Sequence, residues 1–333
     1  MIARPPRALL LGNPGSLKIA FPPPLLEELA GRVRILEPAL TAATWRDHPG
    51  LLAETDYIFG TWGMPRMDTG FLDALPRLKA VFYAAGSVKG FATRDFFARG
   101  LILSNANQAN AIPVAEYAAA TILLSLKRFW QHSRQTKQSR GWKHLPVPGA
   151  WRSVVGLISL GAVGRNTAER LRQSDVEVLA FDPFTTAEQA RALGVRLCSL
   201  DEIFRLADVI SLHAPWLPET ENLVAEAQLR LMKPGATLLN TSRGAVINEP
   251  DLCQVLKERP DLTAILDVTH PEPPKADSPL FTLENVILTP HISGSMDGEV
   301  ARMGQWMADE LIRHLDGQPL RYQLTEAELT TAA

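Results

Sequence analysis

Short apolar runs alternate along this chain with amphipathic, helix-like segments, and they do so in two successive series. Strand–helix alternation of this kind is typical of a parallel sheet with helices on both faces. The two series therefore predict an α/β protein made of two doubly wound parallel-sheet domains. The predicted strands lie at residues 7–12, 32–37, 57–61, 79–85 and 101–106, then at 153–159, 176–182, 208–214, 236–242, 262–268 and 285–291.

Helical segments are predicted between and beyond these strands. Residues 24–31 and 93–100 are two of them, and Gly31 and Gly100 stand where helix C-caps are expected. A long helix is predicted at 114–138, followed by an irregular stretch at 139–151. An amphipathic helix at 299–318 has no strand series of its own, so we expect it to pack on a domain formed by earlier residues.

Length and charge exclude several classes of function. A chain of 333 residues suggests two domains, and its net charge of −2 provides no basic field for nucleic acid or an anionic membrane surface. The two cysteines, Cys198 and Cys253, form no CxxC motif or Cys/His cluster, so neither a disulfide framework nor a metal site is predicted. The apolar run near the N-terminus is too short for a membrane span and is interpreted as a first strand. We expect a cytoplasmic protein.

The stretch VGLISLGAVGRN, Val155 to Asn166, joins a predicted strand to a glycine turn and a helix start. A dinucleotide-binding fingerprint reads G-x-G-x-x-G, and here Ser159 replaces the first glycine while Gly161 and Gly164 are present. Gly161 would let the backbone approach a pyrophosphate, Gly164 would let the helix pack on the sheet, and helix N–H groups would bind the phosphates. We expect some backbone adjustment at Ser159, with the site retained.

Asp182 supports this interpretation, because it ends the next strand eighteen residues after Gly164. An acid at about this distance accepts hydrogen bonds from the adenosine ribose hydroxyls. Its charge would also repel a 2′-phosphate, and the following Pro183 and Phe184 supply no arginine. The sequence therefore predicts NAD rather than NADP as the cofactor.

Three later segments carry residues suited to hydride-transfer chemistry. Arg243 follows a predicted strand in 232–249, Glu272 lies in 264–274, and His291 lies in 286–295. Hydride delivery to a ketone carbon builds negative charge on the oxygen, which a cation such as Arg243 would stabilise. A histidine can supply the proton, and a carboxylate partner fixes its tautomer and raises its pKa.

Together with SLHAPWLPET (211–220), these segments resemble the D-isomer-specific 2-hydroxyacid dehydrogenases. The resemblance covers nearly the whole chain and is densest from Val155 to Gly294. It implies a flavodoxin-like substrate domain and a Rossmann NAD-binding domain, without a metal. It also implies that Arg243 binds the substrate carboxylate and polarises the 2-carbonyl, that His291 is the general acid–base, and that Glu272 pairs with His291.

The resemblance further implies a set of residues that line the cofactor. Asp267 matches the residue near the nicotinamide carboxamide, and Ala162 and Val163 fall where backbone amides meet the pyrophosphate. His270 is interpreted as peripheral. The full predicted cofactor site is Ser159, Gly161, Ala162, Val163, Gly164, Asp182, His213, Ala214, Pro215, Thr241, Ser242, Asp267 and Gly294.

In this family the first domain is split along the chain. The resemblance implies a substrate domain of residues 1–113 plus 295–333 and an NAD-binding domain of residues 114–294. The segment 116–150 resembles the family's dimerisation arm, and its apolar first half requires a partner surface. We expect a homodimer.

The substrate loop departs from the family pattern. The family commonly has G-x-G-x-D-x-I-D, whereas this chain has AAGSVKGFAT at 84–93. Ala85, Gly86 and Ser87 retain backbone amides for a carboxylate, and Lys89 stands near the place of the missing aspartate. Lys89 either favours a substrate with a second anionic or polar group or faces solvent. Trp62 either caps the cleft, which suits a larger or sugar-like acid, or packs against the hinge.

The leading hypothesis is an NAD-dependent oxidoreductase that interconverts a D-2-hydroxy acid and its 2-oxo acid. Glyoxylate or hydroxypyruvate reduction and phosphoglycerate-type oxidation are variants of that hypothesis. One alternative is dehydrogenation of phosphite; formate is disfavoured, because formate-type relatives pair the histidine with glutamine rather than with a glutamate such as Glu272. The other alternative is an NADH-sensing binding protein, like the corepressors built on this fold.

Overall fold

The computed structural model describes residues 4–329, and these form two compact units. Unit 1 contains the described residues up to Asn110 together with those from Ser295 onward, and unit 2 runs from Ala111 to Gly294. The sequence predicts the first boundary after residue 113 and the second after residue 294. The first structural boundary falls inside a helix.

Unit 1 is built on five parallel strands, with order β2-β1-β3-β4-β5. That order is the flavodoxin-like arrangement. The second strand begins two residues later than predicted and extends to Leu40. The strands are β1 (Arg7–Leu11), β2 (Arg34–Leu40), β3 (Tyr57–Gly60), β4 (Ala80–Tyr83) and β5 (Ile102–Asn105), and the helices are α1 (Pro14–Ala20), α2 (Pro23–Ala30), α3 (Pro49–Glu54), α4 (Thr69–Asp73) and α5 (Arg94–Ala98).

The two predicted glycine caps behave differently. Gly100 follows the end of α5 with a φ of +71°, the left-handed conformation that favours glycine. Gly31 is the residue at which α2 ends, but its φ of −71° is right-handed. The glycine is therefore required by backbone conformation only at residue 100.

The predicted long helix at 114–138 is wrong in its extent, because two helices occupy this region. They are α6 (Asn107–Leu126) and α7 (Phe129–Ser139). The break falls at Arg128, which has a left-handed φ of +48°. The sequence does not reveal the early start of α6, because a proline usually marks a helix boundary, whereas the structure holds Pro113 inside the helix.

By length and composition alone, α6 could cross a membrane, and it is the one such helix found in residues 4–329. Most of it is buried within the protein, however, as is usual for a core helix. Its side chains Ala118, Ile122 and Leu126 pack in the hydrophobic core of unit 2.

Unit 2 contains a seven-stranded parallel sheet with helices on both faces. Its order is β12-β11-β10-β9-β6-β7-β8, the doubly wound arrangement of a Rossmann domain. The two-residue β8 was not predicted. The strands are β6 (Ser153–Ile158), β7 (Val176–Phe181), β8 (Arg196–Leu197), β9 (Val209–Leu212), β10 (Thr237–Asn240), β11 (Thr263–Leu266) and β12 (Val286–Leu288), and the helices are α8 (Ala162–Leu171), α9 (Ala187–Ala192), α10 (Leu200–Leu206), α11 (Glu226–Leu231) and α12 (Glu249–Glu258).

The tail packs on unit 1, as predicted, through α13 (Gly298–Leu315). Gly304 permits this contact, because an added β-carbon would lie 1.6 Å from the carbonyl oxygen of Ala20 in α1. The tail also contributes β13 (Gln323–Leu324), which pairs antiparallel with β5 and was not predicted. The buried carboxylate of Glu310 holds this segment by accepting hydrogen bonds from the N–H groups of Arg321 and Tyr322.

Candidate active site

The turn between β6 and α8 has the shape of a glycine turn although Ser159 begins it. Ser159 has a φ of +79°, a conformation that non-glycine residues rarely adopt. The prediction that the backbone would adjust at Ser159 is therefore wrong, since the serine takes the conformation that a glycine would take. Its N–H donates to the carbonyl of Phe181 at 2.8 Å, and its hydroxyl lies 3.4 Å from Oδ2 of Asp182.

The two remaining glycines of the fingerprint have different physical roles. A β-carbon added to Gly164 would lie 2.1 Å from the carbonyl oxygen of Ser159, so only glycine lets α8 approach the turn this closely. A β-carbon added to Gly161 would meet nothing within 4 Å. The first turn of α8 also has no side-chain cap. Open space therefore lies in front of N–H groups that suit a phosphate.

Asp182 fixes this turn through both carboxylate oxygens. Oδ2 accepts the N–H of Leu160 at 2.7 Å, and Oδ1 accepts the N–H groups of Phe184 and Thr185, both at 2.8 Å. Burial of the carboxyl raises its pKa, but the hydrogen bonds from these N–H groups outweigh burial, and the net pKa is lowered. Asp182 therefore stays ionised at the end of β7, where the adenosine ribose of a dinucleotide is expected.

Polar side chains without partners lie buried at the carboxyl ends of β9 and β10. Neither ring nitrogen of His213 has a hydrogen-bond partner among the described residues, and the same holds for the hydroxyls of Ser211 and Thr241. Burial lowers the pKa of His213 to about 4, so its ring is neutral at physiological pH. The Cδ2 atom of His213 lies 3.7 Å from the β-carbon position of Gly164. These residues thus fit a dinucleotide cofactor that follows the glycine turn.

Arg243 lies three residues beyond β10, next to Gly244. A β-carbon on Gly244 would lie 1.9 Å from the carbonyl carbon of Thr269 and 2.4 Å from the amide nitrogen of His270. The main chain that leads to Glu272 therefore packs directly on the residue after Arg243. Burial lowers the pKa of Arg243, and the nearby charge of Glu272 partly opposes this shift. Arg243 is therefore a partly desolvated cation within electrostatic reach of a carboxylate.

His291 and Glu272 form a close pair. Nδ1 of His291 lies 2.6 Å from Oε1 of Glu272, and about half of each side chain is exposed. An ionised carboxylate can only accept a hydrogen bond, so the proton of this contact belongs to Nδ1. Nε2 then remains available to exchange a proton with another molecule.

Asp267 holds the backbone around His291. Its buried carboxylate accepts the Thr289 hydroxyl at 2.6 Å and the N–H groups of Ile292 and Ser293, both at 2.9 Å. Its main-chain carbonyl accepts the N–H of His291 at 2.9 Å. His291 itself has a φ of +55°. The carboxylate predicted to lie near the nicotinamide therefore also stabilises the strained turn that presents the histidine.

Other predicted cofactor residues follow the carboxyl ends of strands in unit 2. Ser242 is buried and hydrogen-bonds to Asn240, and Ala214 is buried. His270, predicted to be peripheral, is exposed and lies with its ring 5.0 Å from that of Trp216. The remaining predicted cofactor residues, Ala162, Val163, Pro215 and Gly294, are partly buried.

The predicted substrate residues all belong to unit 1. Trp62 follows β3 and is 40% exposed, and Lys89 is exposed. Ala85 is buried, Gly86 and Ser87 are partly buried, and the carbonyl of Gly86 accepts a 2.7 Å hydrogen bond from the Asn105 side chain. The loop at 84–93 is thus anchored to the end of β5.

Three residues of the candidate site were not predicted, namely Ser211, Thr289 and Tyr117. Thr289 contacts Asp267, and the hydroxyl of Tyr117 in α6 lies 3.3 Å from that of Thr289. Thr289 could have been proposed from the sequence, because it lies two residues before His291. Tyr117 gave none, because its contact joins residues 172 positions apart in the chain. Within residues 4–329, no group of three or more His, Cys, Asp or Glu side chains is arranged to hold a metal.

Proteins named as dehydrogenases or reductases are similar to this chain in sequence and in fold. A D-3-phosphoglycerate dehydrogenase of Archaeoglobus fulgidus is 32% identical over 258 residues, which cover 77% of this chain and 49% of that protein. The chain thus spans about half the length of that curated relative. A glyoxylate reductase of Korarchaeum cryptofilum is 29% identical over 76% of this chain and 77% of its own.

The fold is shared with a crystal structure of D-mandelate dehydrogenase from Rhodotorula graminis. Its TM-score is 0.81 at 23% identity, over 97% of this chain and 98% of that one. The family model "D-isomer specific 2-hydroxyacid dehydrogenase, NAD binding domain" matches residues 119–293, nearly all of unit 2. The shared fold and this match together confirm the predicted fold class, and the match confirms NAD as the cofactor. The chain belongs to the D-isomer specific 2-hydroxyacid dehydrogenase family.

Proposed function

We propose that this protein is an NAD-dependent oxidoreductase that interconverts a D-2-hydroxy acid and its 2-oxo acid. The observation that carries the proposal is the 2.6 Å pair of His291 and Glu272 beyond the same sheet that carries the glycine turn. The charge of Glu272 acts on the pKa of Arg243, and the chain that leads to Glu272 packs on the residue after Arg243. Family membership supports the same reaction class.

Each of these side chains has a distinct task in the proposed reaction. NADH, when bound, supplies the hydride for reduction of the 2-oxo acid. Arg243 binds the substrate carboxylate and stabilises negative charge on the 2-carbonyl oxygen. His291 delivers a proton to that oxygen from Nε2, while Glu272 holds Nδ1 and stabilises the charged ring. In oxidation, neutral His291 takes the proton from the 2-hydroxyl.

The residues that follow β6, β7, β9 and β10 bind the cofactor. The uncapped N-terminus of α8 binds the pyrophosphate, with Gly161 leaving room for its approach. Asp182 accepts the hydroxyls of the adenosine ribose. The polar atoms of His213 and Thr241, which have no partner among the described residues, line the path of the dinucleotide.

The substrate is proposed to be a small 2-oxo or 2-hydroxy acid, glyoxylate and hydroxypyruvate among the first to test. Relatives are named as a glyoxylate reductase and D-3-phosphoglycerate dehydrogenases, which supports this range. Exposed Lys89 and Trp62 are proposed to contact the part of the substrate remote from the carbonyl. A substrate with a second anionic or polar group is then preferred.

A cytoplasmic homodimer is proposed as the working form. The segment 116–150 carries exposed apolar side chains at Leu123, Leu124, Phe129 and Trp142, and α7 buries none of its residues within the chain. Such a surface suits a second copy of the chain. Light scattering on the purified protein tests this, and a monomer at all concentrations would refute it.

The test of the reaction is NADH oxidation by the purified protein with a panel of 2-oxo acids, from glyoxylate to sugar-derived acids, beside Arg243→Ala. We expect turnover in the wild type that prefers NADH to NADPH. The arginine variant should lose about a hundredfold or more in kcat/KM, in line with the loss of a charged contact to the reacting oxygen. Tight NADH binding without turnover of any acid would instead favour a sensing role, and turnover of phosphite alone would favour the other alternative.

A further inference from the structure

The hydroxyl groups of Tyr117 and Thr289 lie 3.3 Å apart and link two distant parts of unit 2. Tyr117 is part of α6, whereas Thr289 follows β12 and comes two residues before His291. Tyr117 is partly buried, and its hydroxyl contacts the loop of the proposed acid–base residue.

The direction of the hydrogen bonds follows from what each group can donate. The two carboxylate oxygens of Asp267 face the N–H groups of Ile292 and Ser293, so both act as acceptors. Thr289 must then give its single hydroxyl proton to Asp267, at 2.6 Å. Its oxygen is left as an acceptor, and Tyr117 is the donor. The chain runs from Tyr117 through Thr289 to Asp267.

This chain ends at the backbone of His291. The N–H of His291 donates to the main-chain carbonyl of Asp267 at 2.9 Å. A non-glycine residue with φ near +55° costs about 1–3 kcal/mol and persists only where its surroundings fix it. Three donors on the Asp267 carboxylate and one on its carbonyl supply that constraint.

We propose that Tyr117 is a positioning residue for His291, which acts through Thr289 and Asp267 to set the orientation of the imidazole. The proposal rests on the proposed function, in which His291 exchanges a proton with substrate. Catalytic groups must be held within about 0.5 Å of the productive geometry, and a displacement of about 1 Å can cost a hundredfold in rate. Loss of the Tyr117 hydroxyl should therefore lower kcat more than it weakens the binding of NADH.

The kinetic test compares Tyr117→Phe, Thr289→Val and Thr289→Ser with the wild type. We expect Tyr117→Phe and Thr289→Val to lower kcat by about tenfold, which corresponds to about 1.4 kcal/mol, while KM for NADH stays unchanged. Tm should stay unchanged in Tyr117→Phe, whereas Thr289→Val should lower it, because the buried carboxylate of Asp267 loses a donor. Thr289→Ser keeps the hydroxyl and should retain kcat within about twofold. The double variant Tyr117→Phe/Thr289→Val should lose no more kcat than Thr289→Val alone, because each substitution breaks the same chain of hydrogen bonds. Tyr322→Phe, in unit 1, is the matched control.

Two kinetic results would overturn the proposal. One is wild-type kcat in Tyr117→Phe. The other is a loss that Thr289→Ser shares and that is accompanied by weaker NADH binding and a lower Tm, since that pattern describes a structural defect.

A second readout separates this proposal from the proposed function. The ring resonances of His291, assigned with His291→Gln, should move in Tyr117→Phe and Thr289→Val but not in Thr289→Ser or Tyr322→Phe. If the wild type turns over no 2-oxo acid, the proposed function fails while this shift still reports on positioning. Unmoved resonances in Tyr117→Phe would overturn the positioning role whatever the activity.

Discussion

Gly164 faces the carbonyl oxygen of Ser159 so closely that an added β-carbon would lie 2.1 Å from it, whereas Gly161, three residues earlier, faces open space. The two glycines of one turn therefore have different surroundings. The fold requires glycine at residue 164, whereas Gly161 is proposed to leave room for the pyrophosphate of the cofactor. This difference can be measured.

Gly164→Ala is expected to lower the free energy of unfolding by about 1–3 kcal/mol, because the new methyl group overlaps main-chain atoms that cannot move freely. Gly161→Ala should change that free energy by less than about 1 kcal/mol. Its NADH affinity should nevertheless fall by about tenfold or more, about 1.4 kcal/mol. Chemical denaturation and NADH fluorescence titration provide both values. Equal stability of the two variants would contradict this assignment.

Ser159→Gly is expected to stabilise the protein by about 1 kcal/mol. The serine has a φ of +79°, and removal of this strain outweighs both the greater flexibility of an unfolded glycine and one weak hydrogen bond to Asp182. Ser174→Gly, at a turn residue outside the left-handed region, should instead destabilise by about 0.5–1 kcal/mol. The comparison is made by thermal or urea unfolding without cofactor. A destabilised Ser159→Gly would show that the serine is unstrained.

His213 should make the protein less stable in acid. Its pKa is about 4 in the folded state against an ordinary value of 6.5 for histidine, because burial disfavours the charged ring. Below pH 6.5 the unfolded chain binds a proton that the folded protein does not, so the free energy of unfolding falls as pH drops from 6.5 towards 4. The loss attributable to His213 reaches about 3 kcal/mol at the lower end of this window.

The measurement for His213 is the free energy of unfolding as a function of pH in wild type and His213→Gln. Above pH 7 the difference between the two should be constant, and below it the wild type should lose more stability than the variant. Parallel curves down to pH 4 would show that the ring is not buried in neutral form.

Gly244→Ala should disrupt the site that contains Arg243. The added β-carbon would lie 1.9 Å from the carbonyl carbon of Thr269, on the segment that leads to Glu272. We expect a loss of about 1–3 kcal/mol in stability together with most of the activity. Gly50→Ala, in helix α3 where a β-carbon meets nothing within 4 Å, is the control; it should leave activity unchanged and should not lower stability. Full activity in Gly244→Ala would mean that this segment can shift without affecting Glu272.

Local sequence patterns predicted most of the fold. Strands such as β6 and β7 are long apolar runs beside turn residues, and their positions were found to within a residue or two. The two-residue strands β8 and β13 have no periodicity that could be detected. The break at Arg128 was missed because no glycine or proline marks it, although its backbone is left-handed.

The part of the candidate site whose residues lie close together in the sequence could be predicted from local patterns. Asp182 and the glycines belong to a single βαβ unit, and the strand before the turn, the helix after it and the spacing to Asp182 together suggested a cofactor turn, which Arg243, Glu272 and His291 supported through the family resemblance. Other features were not visible in the sequence. Nothing in the sequence indicates that Ser159 takes a left-handed φ, and the contact of Tyr117 with Thr289 spans 172 positions. His213 was predicted as a cofactor residue, but its burial without a hydrogen-bond partner within the described part of the chain is evident only once β9 and β10 lie side by side.

The most direct test of the account is the turnover of His291→Gln measured beside its affinity for NADH. Nε2 of His291 is proposed to deliver the substrate proton, while the pyrophosphate and the adenosine ribose are proposed to be held by residues that follow β6 and β7. We therefore expect kcat with the best 2-oxo acid to fall by about 10²–10⁴-fold, with the Kd for NADH within about twofold of the wild type. A variant that binds NADH normally and retains the wild-type kcat would contradict the assignment of His291 as the acid–base residue.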